Sequence, residues 1–286
     1  MAKDLEGKVF LVTGGTEGIG KAASLEFASR GATIALVGRN KEKTERVAGE
    51  LRAAGATKVE PIFADLSRVS DMKRAASEFK AAHDRLDVLV NNAGGVFFKH
   101  ETTGDGYEMT FALNHLSYFV ITAEVLDLLK KTKGSRIVST SSGAHQGGKI
   151  ELGDIAKRPS GKAGFPVYCD SKLANILFTR ELARKLDGSG VLVNCFHPGF
   201  VQTGFAMNNQ GFLKSAISFG ASLFARTPAK GAETLVWLAA SPDATGTSGE
   251  YFFDKKVKKT TRLAYDMDVA AKLWAFTEET VRAQPS

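Results

Sequence analysis

Val9-Phe10-Leu11-Val12-Thr13-Gly14-Gly15-Thr16-Glu17-Gly18-Ile19-Gly20 runs straight from an apolar segment into a glycine turn. Val9 to Val12 is short enough for a strand and has no polar alternation, which marks a strand buried on both faces of a parallel sheet. After the turn, Ala22, Ala23, Leu25, Phe27 and Ala28 recur at helical spacing up to Gly31. Strand, glycine turn and helix in that order can cradle a nucleotide. Gly14, Gly18 and Gly20 allow a tight turn and close approach to a pyrophosphate, and the helix N-terminus offers free N–H groups and the positive end of its dipole. The spacing is G-x-x-x-G-x-G, not the G-x-G-x-x-G of the dinucleotide fingerprint.

Outward from this unit the same alternation continues. Thr33-Ile34-Ala35-Leu36-Val37 reads as a second strand ending at Gly38-Arg39-Asn40, followed by a charged helix over Lys41–Ala54. A third strand over Lys58–Phe63 ends in Ala64-Asp65-Leu66, and Ser70-Asp71 looks like the N-cap of a helix reaching residue 82. Asp87-Val88-Leu89-Val90 is a fourth strand ending in Asn91-Asn92-Ala93-Gly94, before a long helical pattern over 106–131. Arg136-Ile137-Val138-Ser139 is the fifth strand, ending in Thr140-Ser141-Ser142-Gly143, and a glycine-rich stretch over 144–165 has no strong period. A helix around Tyr168 leads to the sixth strand, Val191 to Phe196, which ends in His197-Pro198-Gly199. A helix pair, the strand Glu250-Tyr251-Phe252-Phe253 and a helical tail over 268–282 close the chain. Strands alternating with helices predict an α/β fold: a doubly wound, Rossmann-type parallel sheet with helices on both faces. The 286 residues contain no linker, so the whole chain, 1–286, is expected to be a single domain.

Lys+Arg 38 against Asp+Glu 31 gives a net charge of +7, and 43% apolar residues suffice for a full core. The basic residues are dispersed except for Lys255-Lys256-Val257-Lys258-Lys259, read as a solvated surface loop. A nucleic-acid or anionic-membrane partner is therefore a minor reading, and none is expected. Cys169 and Cys195 have neither metal-ligand nor disulfide spacing, and no metal site is expected. The first residues show no hydrophobic signal region and no apolar run approaches a membrane span, so a cytoplasmic protein without a transmembrane segment is expected.

Val167-Tyr168-Cys169-Asp170-Ser171-Lys172 carries the chemistry. Tyrosine and lysine four apart share one helix face. Leu173, Ile176, Leu177, Leu182, Ala183 and Leu186 make the segment helical, and Asp187-Gly188-Ser189-Gly190 stops it. A phenol titrates near pH 10, but a unit charge at roughly 5 Å, at an effective dielectric of about 20, contributes about 3 kcal/mol, or roughly two pKa units. Lys172 is thus expected to lower the pKa of Tyr168, and an oxidised nicotinamide ring would lower it further, making Tyr168 a proton donor and acceptor near neutrality. At the second strand's tip no carboxylate stands ready for a ribose hydroxyl, whereas Arg39 can fork onto a 2′-phosphate, which predicts NADP(H). Asp65 ends the third strand on the same edge. It can accept from an adenine amino group or simply cap its loop.

Thr13 to Gly20, Asn91-Asn92-Ala93-Gly94, Asn114, Ser142, Tyr168/Lys172 and Pro198-Gly199, in this order over nearly the whole chain, resemble the short-chain dehydrogenase/reductase family. The strings from Tyr168 to Asn175, from Phe178 to Ala183, from Arg226 to Ala232 and from Ser248 to Phe252 resemble its retinol dehydrogenase branch. The resemblance implies an NADP(H)-dependent oxidoreductase in which Tyr168 is general acid in reduction and base in oxidation. Lys172 would lower its pKa and hold the nicotinamide ribose, and Ser142 (the second of the pair with Ser141) would hydrogen-bond the substrate oxygen. Asn114 would position a water in a proton relay through Lys172, and Thr203 would contact the nicotinamide amide. It also implies cofactor contacts from Gly14, Thr16, Gly18, Ile19, Gly20, Arg39, Asp65, Leu66, Asn92, Ala93, Gly94, Tyr168, Lys172, Pro198, Gly199 and Val201, and homo-oligomers as the family habit.

Two features depart from that pattern. Ser142 and Tyr168 stand 26 residues apart, about twice the family gap, so 145–165 holds a loop insertion near the site, as in the retinol dehydrogenase branch. That branch often carries an N-terminal membrane anchor, and the start here does not read as one. His197 is expected to shape the sixth strand's turn, and neither it nor His145 is given a catalytic role. The stretch 200–228, with Phe205, Phe212, Leu213, Ile217, Phe219, Leu223 and Phe224, follows a strand's carboxyl end and reads as a lid over an apolar aldehyde, ketone or alcohol, with ordinary core or a dimer contact as alternatives. A catalytically silent nucleotide sensor or scaffold and a light-dependent pigment reductase are the competing functions.

Overall fold

The computed structural model describes residues 3–157, 163–201 and 225–284. Eight strands share one sheet in the order β3-β2-β1-β4-β5-β6-β7-β8. They are β1 (Val9–Thr13), β2 (Thr33–Gly38), β3 (Lys58–Phe63), β4 (Val88–Asn91), β5 (Arg136–Thr140), β6 (Leu192–Phe196), β7 (Tyr251–Phe253) and β8 (Lys256–Val257). All neighbours are parallel except β7 and β8. β1 pairs with β2 on one side and β4 on the other, so the strand order reverses there and opens a crevice at the carboxyl ends of the strands.

The apolar runs explain the layers. Every residue of β1 is buried, as a strand covered on both faces requires. On one face, Phe10, Val12, Ile34 and Leu36 pack against α1 (Gly18–Ser29), α2 (Lys41–Ala54) and α6 (Pro228–Ala240). On the other, Leu11, Leu89 and Ile137 pack against α3 (Val69–Ala82), α4 (Met109–Lys131) and α5 (Phe165–Lys185). Leu173, Ile176 and Leu177 of α5 form a third cluster with Ala270 and Leu273 of α7 (Met267–Arg282). Helix α5 is thereby covered on all sides, and every residue from Val167 to Leu182 is buried, polar ones included.

The doubly wound sheet and its coverage are as the sequence reads, with local differences. The lysine-rich stretch is not a loop: Lys256–Val257 forms the antiparallel edge strand β8. Its hairpin turns on Asp254 and Lys255, both at positive φ (48° and 62°), the geometry of a two-residue type I′ turn. A bond donated by the Lys255 N–H to Thr234 Oγ1 and one between Arg226 and Asp254 hold that conformation, and the exposed lysines on the edge discourage pairing with another sheet. Ser70-Asp71 is not the cap of α3. Asp105 Oδ2 accepts from Val69 N at 2.7 Å, and Asp71 Oδ2 accepts from Asp65 N at 2.9 Å. α4 contains a π turn, Ala112–Leu116; it passes the length and composition of a membrane span, but most of it is buried within the fold, as in the core helix of a folded domain. The unpatterned stretch after β5 holds a 3-10 segment, Gly143–Gly147, and a one-turn helix, Leu152–Ile155. Val201 bridges Arg226, and Arg226 N donates to Phe200 O at 2.7 Å, tying together the chain on either side of 202–224. The expected lid, with Thr203, Phe212 and Phe219, lies almost wholly outside the described residues.

Candidate active site

The site begins where β1 ends. Thr13 Oγ1 donates to Val90 O at 3.1 Å and accepts from Asn92 N and Ala93 N at 3.0 and 3.2 Å. Asn92 Nδ2 donates to Gly14 O at 3.0 Å, and its Oδ1 accepts from Thr140 Oγ1 at 3.1 Å. The carboxyl ends of β1, β4 and β5 are thus clamped through two side chains. The glycines are forced by this closeness. Gly14 has φ +65°, and a Cβ there would lie 2.6 Å from Ala93 Cα; a Cβ on Gly20 would run into Gly14 O and Asn92 Nδ2. Glu17, at the N-cap of α1, makes no capping bond, so the first N–H groups of the helix remain available to a phosphate. A cradle that a single Cβ would fill, at an uncapped helix N-terminus, fits a dinucleotide pyrophosphate.

A cleft of about 790 Å³ opens above this turn. It brings together Gly14, Thr16, Gly18, Ile19, Asn92, Ala93, Gly94, Ser142, Tyr168, Lys172, Pro198, Gly199 and Val201. Gly20 packs just behind. Arg39, Asp65 and Leu66 lie off this cleft, at the ends of β2 and β3. Arg39 is exposed and, among the described residues, has no hydrogen-bond or ion-pair partner, whereas Asn40 beside it caps α2 through Lys43 N at 2.8 Å. Asp65 Oδ1 accepts from Ser67 N and Oγ at 3.1 and 2.8 Å, which makes it a loop cap. Leu66 is a core residue by its side chain.

Tyr168 and Lys172 occupy the first turns of α5 and reach the cleft from its side. Ser142, two residues beyond β5, is extended (φ −158°, ψ 155°); its hydroxyl accepts from Ala144 N at 3.1 Å and is hydrogen-bonded to the Tyr168 phenol. Ser141 Oγ instead donates to Lys172 O at 2.8 Å and is buried, which ties it to the α5 backbone and leaves Ser142 as the serine bonded to the phenol. Lys172 Nζ donates to Thr140 O at 3.2 Å and stands 5.5 and 5.8 Å from the ring centroids of Tyr168 and Tyr118.

The electrostatics correct the sequence expectation for this pair. Burial raises the Tyr168 phenol above its ordinary value, against a smaller opposing effect of the Ser142 hydrogen bond, and Lys172 is not among the groups that lower it. Burial also pushes Lys172 down to about 7. Two groups that share a helix face are also desolvated together, and desolvation disfavours the charged form of each. The charge–charge estimate from spacing alone leaves this out.

Asn114 sits in the π turn of α4 behind Gly94. Its side chain is committed: Oδ1 accepts from Gly95 N at 2.8 Å, and Nδ2 donates to Gly95 O and Ser171 Oγ, each at 3.0 Å. Any relay through Asn114 therefore has its main-chain carbonyl to work with. His197 stacks on Phe253 with centroids 4.6 Å apart and accepts from Gly199 N at 3.1 Å, which is the turn-shaping role expected of it. His145 Nδ1 lies 2.7 Å from Ser142 O. Two residues have roles that the sequence reading does not assign. Thr13 opens the motif that ends at Gly20, but nothing in the sequence shows that its hydroxyl joins β1 to β4. Asn175 closes the string from Tyr168, and its spacing of three from Lys172, on the same helix face, is the only signal of a part in the site.

The sequence model described as short chain dehydrogenase matches residues 8–212. Retinol dehydrogenase 14 of Mus musculus is 39% identical over 287 residues, covering 96% of this chain and 86% of that protein. A crystal structure of a Mycobacterium paratuberculosis protein superposes with a TM-score of 0.79 at 29% identity, covering 99% of this chain and 96% of the other. A short chain dehydrogenase from Burkholderia cenocepacia, solved in complex with NADP, gives 0.69 at 28% identity, covering 87% and 96%.

Proposed function

The chain belongs to the short-chain dehydrogenase family and is an oxidoreductase; on that premise we propose that it uses NADP(H) to interconvert an apolar aldehyde or ketone with its alcohol, with Tyr168 as general acid and base. The observation that carries the reading is the convergence of Tyr168, its hydrogen-bonded partner Ser142 and the buried Lys172 on one cleft with the glycine turn. The bound nicotinamide supplies or takes up hydride. The work of the chain is to place the substrate oxygen and move its proton. Gly14, Gly18 and the uncapped N-terminus of α1 receive the pyrophosphate. Arg39 reads the 2′-phosphate with a guanidinium that no other described residue engages, and the NADP-bound relative supports this choice. Tyr168 and Ser142 offer two donors to the substrate oxygen, and Tyr168 delivers the proton in reduction. Lys172, poised near neutrality, then restores the phenol's proton. The half-exposed rings of Phe165 and Phe200 at the cleft support an apolar substrate.

The test is a panel of aldehydes, ketones and alcohols assayed with both nicotinamide cofactors, for wild type and Tyr168→Phe. Turnover is expected with NADPH and apolar carbonyls, and a loss of about 10³-fold in kcat in the variant, with cofactor affinity kept. A folded Tyr168→Phe enzyme working at the wild-type rate would overturn the mechanism.

A further inference from the structure

Asn175 follows Lys172 by three residues on α5 and is completely buried. Its amide donates to two main-chain carbonyls, Asn114 O at 2.9 Å and Thr140 O at 3.3 Å. Lys172 Nζ donates to that same Thr140 oxygen at 3.2 Å. The carbonyls come from different elements, the π turn of α4 and the end of β5, so one amide fastens both to the helix that carries Tyr168 and Lys172. Two donors use both lone pairs of the Thr140 oxygen, which fixes the direction in which Lys172 finds its acceptor.

The surroundings also decide how this amide points. Two carbonyl oxygens face its NH2 group, so Oδ1 must face the other way, where His115 Nδ1 lies 3.2 Å off. An acceptor there calls for a proton on Nδ1. Burial holds His115 near a pKa of about 4, so the ring is neutral and Nε2 becomes an acceptor. Nε2 lies 3.3 Å from Thr277 Oγ1 of α7, whose one hydroxyl proton goes to Leu273 O at 2.8 Å. His115, Asn175, Thr140 and Lys172 form a hydrogen-bonded line from the π turn of α4 to the catalytic lysine. Packing alone would be served by a leucine at 175, and by an aromatic ring at 115 between Phe111 and Phe178. Every polar atom of the Asn175 side chain is instead engaged, and its bonds end on the lysine's acceptor.

We propose that Asn175, oriented by His115, is a positioning residue that sets the Asn114 and Thr140 carbonyls around Lys172 and thereby the proton path to Tyr168. This rests on the reading of Tyr168 and Lys172 given above. The roles of the four side chains differ: Lys172 and Tyr168 act on the reaction, while Asn175 and His115 act through them.

The experiment compares Asn175→Leu, His115→Phe and His115→Gln with wild type and Tyr168→Phe, using NADPH and a medium-chain aldehyde. Asn175→Leu and His115→Phe should lower kcat by about 30-fold, with KM and the NADPH Kd (from quenching of protein fluorescence) within about 3-fold. Glutamine at 115 can still donate to Asn175 Oδ1 and should recover to within about 3-fold of wild type. Independently of activity, ¹⁵N-histidine spectra of the free protein should show His115 as the neutral Nδ1–H tautomer at pH 6 and lose that tautomer in Asn175→Leu. Should Asn175→Leu not fold, the two His115 variants carry the same comparison. A folded Asn175→Leu enzyme with wild-type kcat, no difference between His115→Phe and His115→Gln, or an Nε2–H tautomer in wild type overturns the inference. If Tyr168→Phe is inactive in that same experiment, the proposed function survives its failure. If Tyr168→Phe is active, both fall.

Discussion

Lys172 Nζ stands 5.5 Å from the centre of the Tyr168 ring but gives its hydrogen bond to the Thr140 carbonyl, 3.2 Å away. The lysine is thus held by a neutral dipole in a buried place, and its pKa falls to about 7. An unfolded chain would hold that proton up to its ordinary value of 10.5. Between these two values the unfolded state binds more protons than the folded one, so stability rises with pH there, and the cost of burial is fully present below about 7. Lys172→Met should therefore stabilise the cofactor-free protein at pH 7 by ~2 kcal/mol, net of the lost hydrogen bond, while removing turnover. The gain should shrink as pH approaches 10. Urea midpoints at several pH values read it, and a gain independent of pH would show that the lysine's ionisation is not what burial penalises.

Arg39 follows β2, exposed and without a partner among the described residues, where a ribose-binding carboxylate would otherwise stand. Arg39→Ala should weaken NADPH binding by ~10- to 100-fold, because a bidentate charge-assisted contact is lost, and leave NADH within about 2-fold. Calorimetric titration with each cofactor measures both. Equal losses for the two would mean that Arg39 does not read the 2′-phosphate.

Gly20 belongs to α1, yet its missing Cβ is occupied by Gly14 O and Asn92 Nδ2. Gly20→Ala must push the glycine turn away from the end of β4. A cost of ~2–4 kcal/mol and a loss of at least about 10-fold in cofactor affinity are expected. Gly49, in the middle of α2, has open space where its Cβ would go. Gly49→Ala should instead stabilise by ~0.5–1 kcal/mol and leave binding unchanged. Thermal melts of the pair separate local packing from the general helix preference for alanine. Similar melting shifts in both would refute the close-packed turn.

The contrast between these glycines shows what the chain discloses on its own. Lys41–Ala54 and Lys58–Phe63 run as their patterns read, because periodicity and the glycine at the helix end suffice to place them. The glycine turn was legible because so few residues can pass between a buried strand and a helix there. β8 was not, since Lys256–Val257 is held by a turn at Asp254-Lys255 whose support from Arg226 and Thr234 comes from distant segments. The π turn at Asn114 depends on the helices that pack against it. The role of Asn175 is hidden for a related reason: on a helix with one wet face a polar residue means nothing, and only the burial of α5 on every side gives its amide something to explain. The Tyr168–Lys172 pair was found from spacing, but its titration was not, because desolvation is a property of the assembled fold.

Phe165 and Phe200 are 57% and 59% exposed, and both border the cleft; the Phe165 and Tyr168 ring centroids are 6.0 Å apart. Large rings standing half in water beside a cleft are the kind of surface an apolar ligand covers. If a substrate buries ~100 Å² against them, at ~25 cal/mol per Å² the contact is worth about 2.5 kcal/mol. A long-chain or aromatic carbonyl can reach both rings, and an acetone-sized one cannot. Phe165→Ala and Phe200→Ala should each raise KM by about 10-fold for long-chain and aromatic carbonyls and by less than about 2-fold for small ketones. Cofactor affinity should not move, since neither ring is needed by the glycine turn. Initial rates for a homologous series of aldehydes would give the dependence on chain length directly. A flat series in wild type, or equal KM changes for small and large carbonyls in the variants, would show that these rings do not select the substrate.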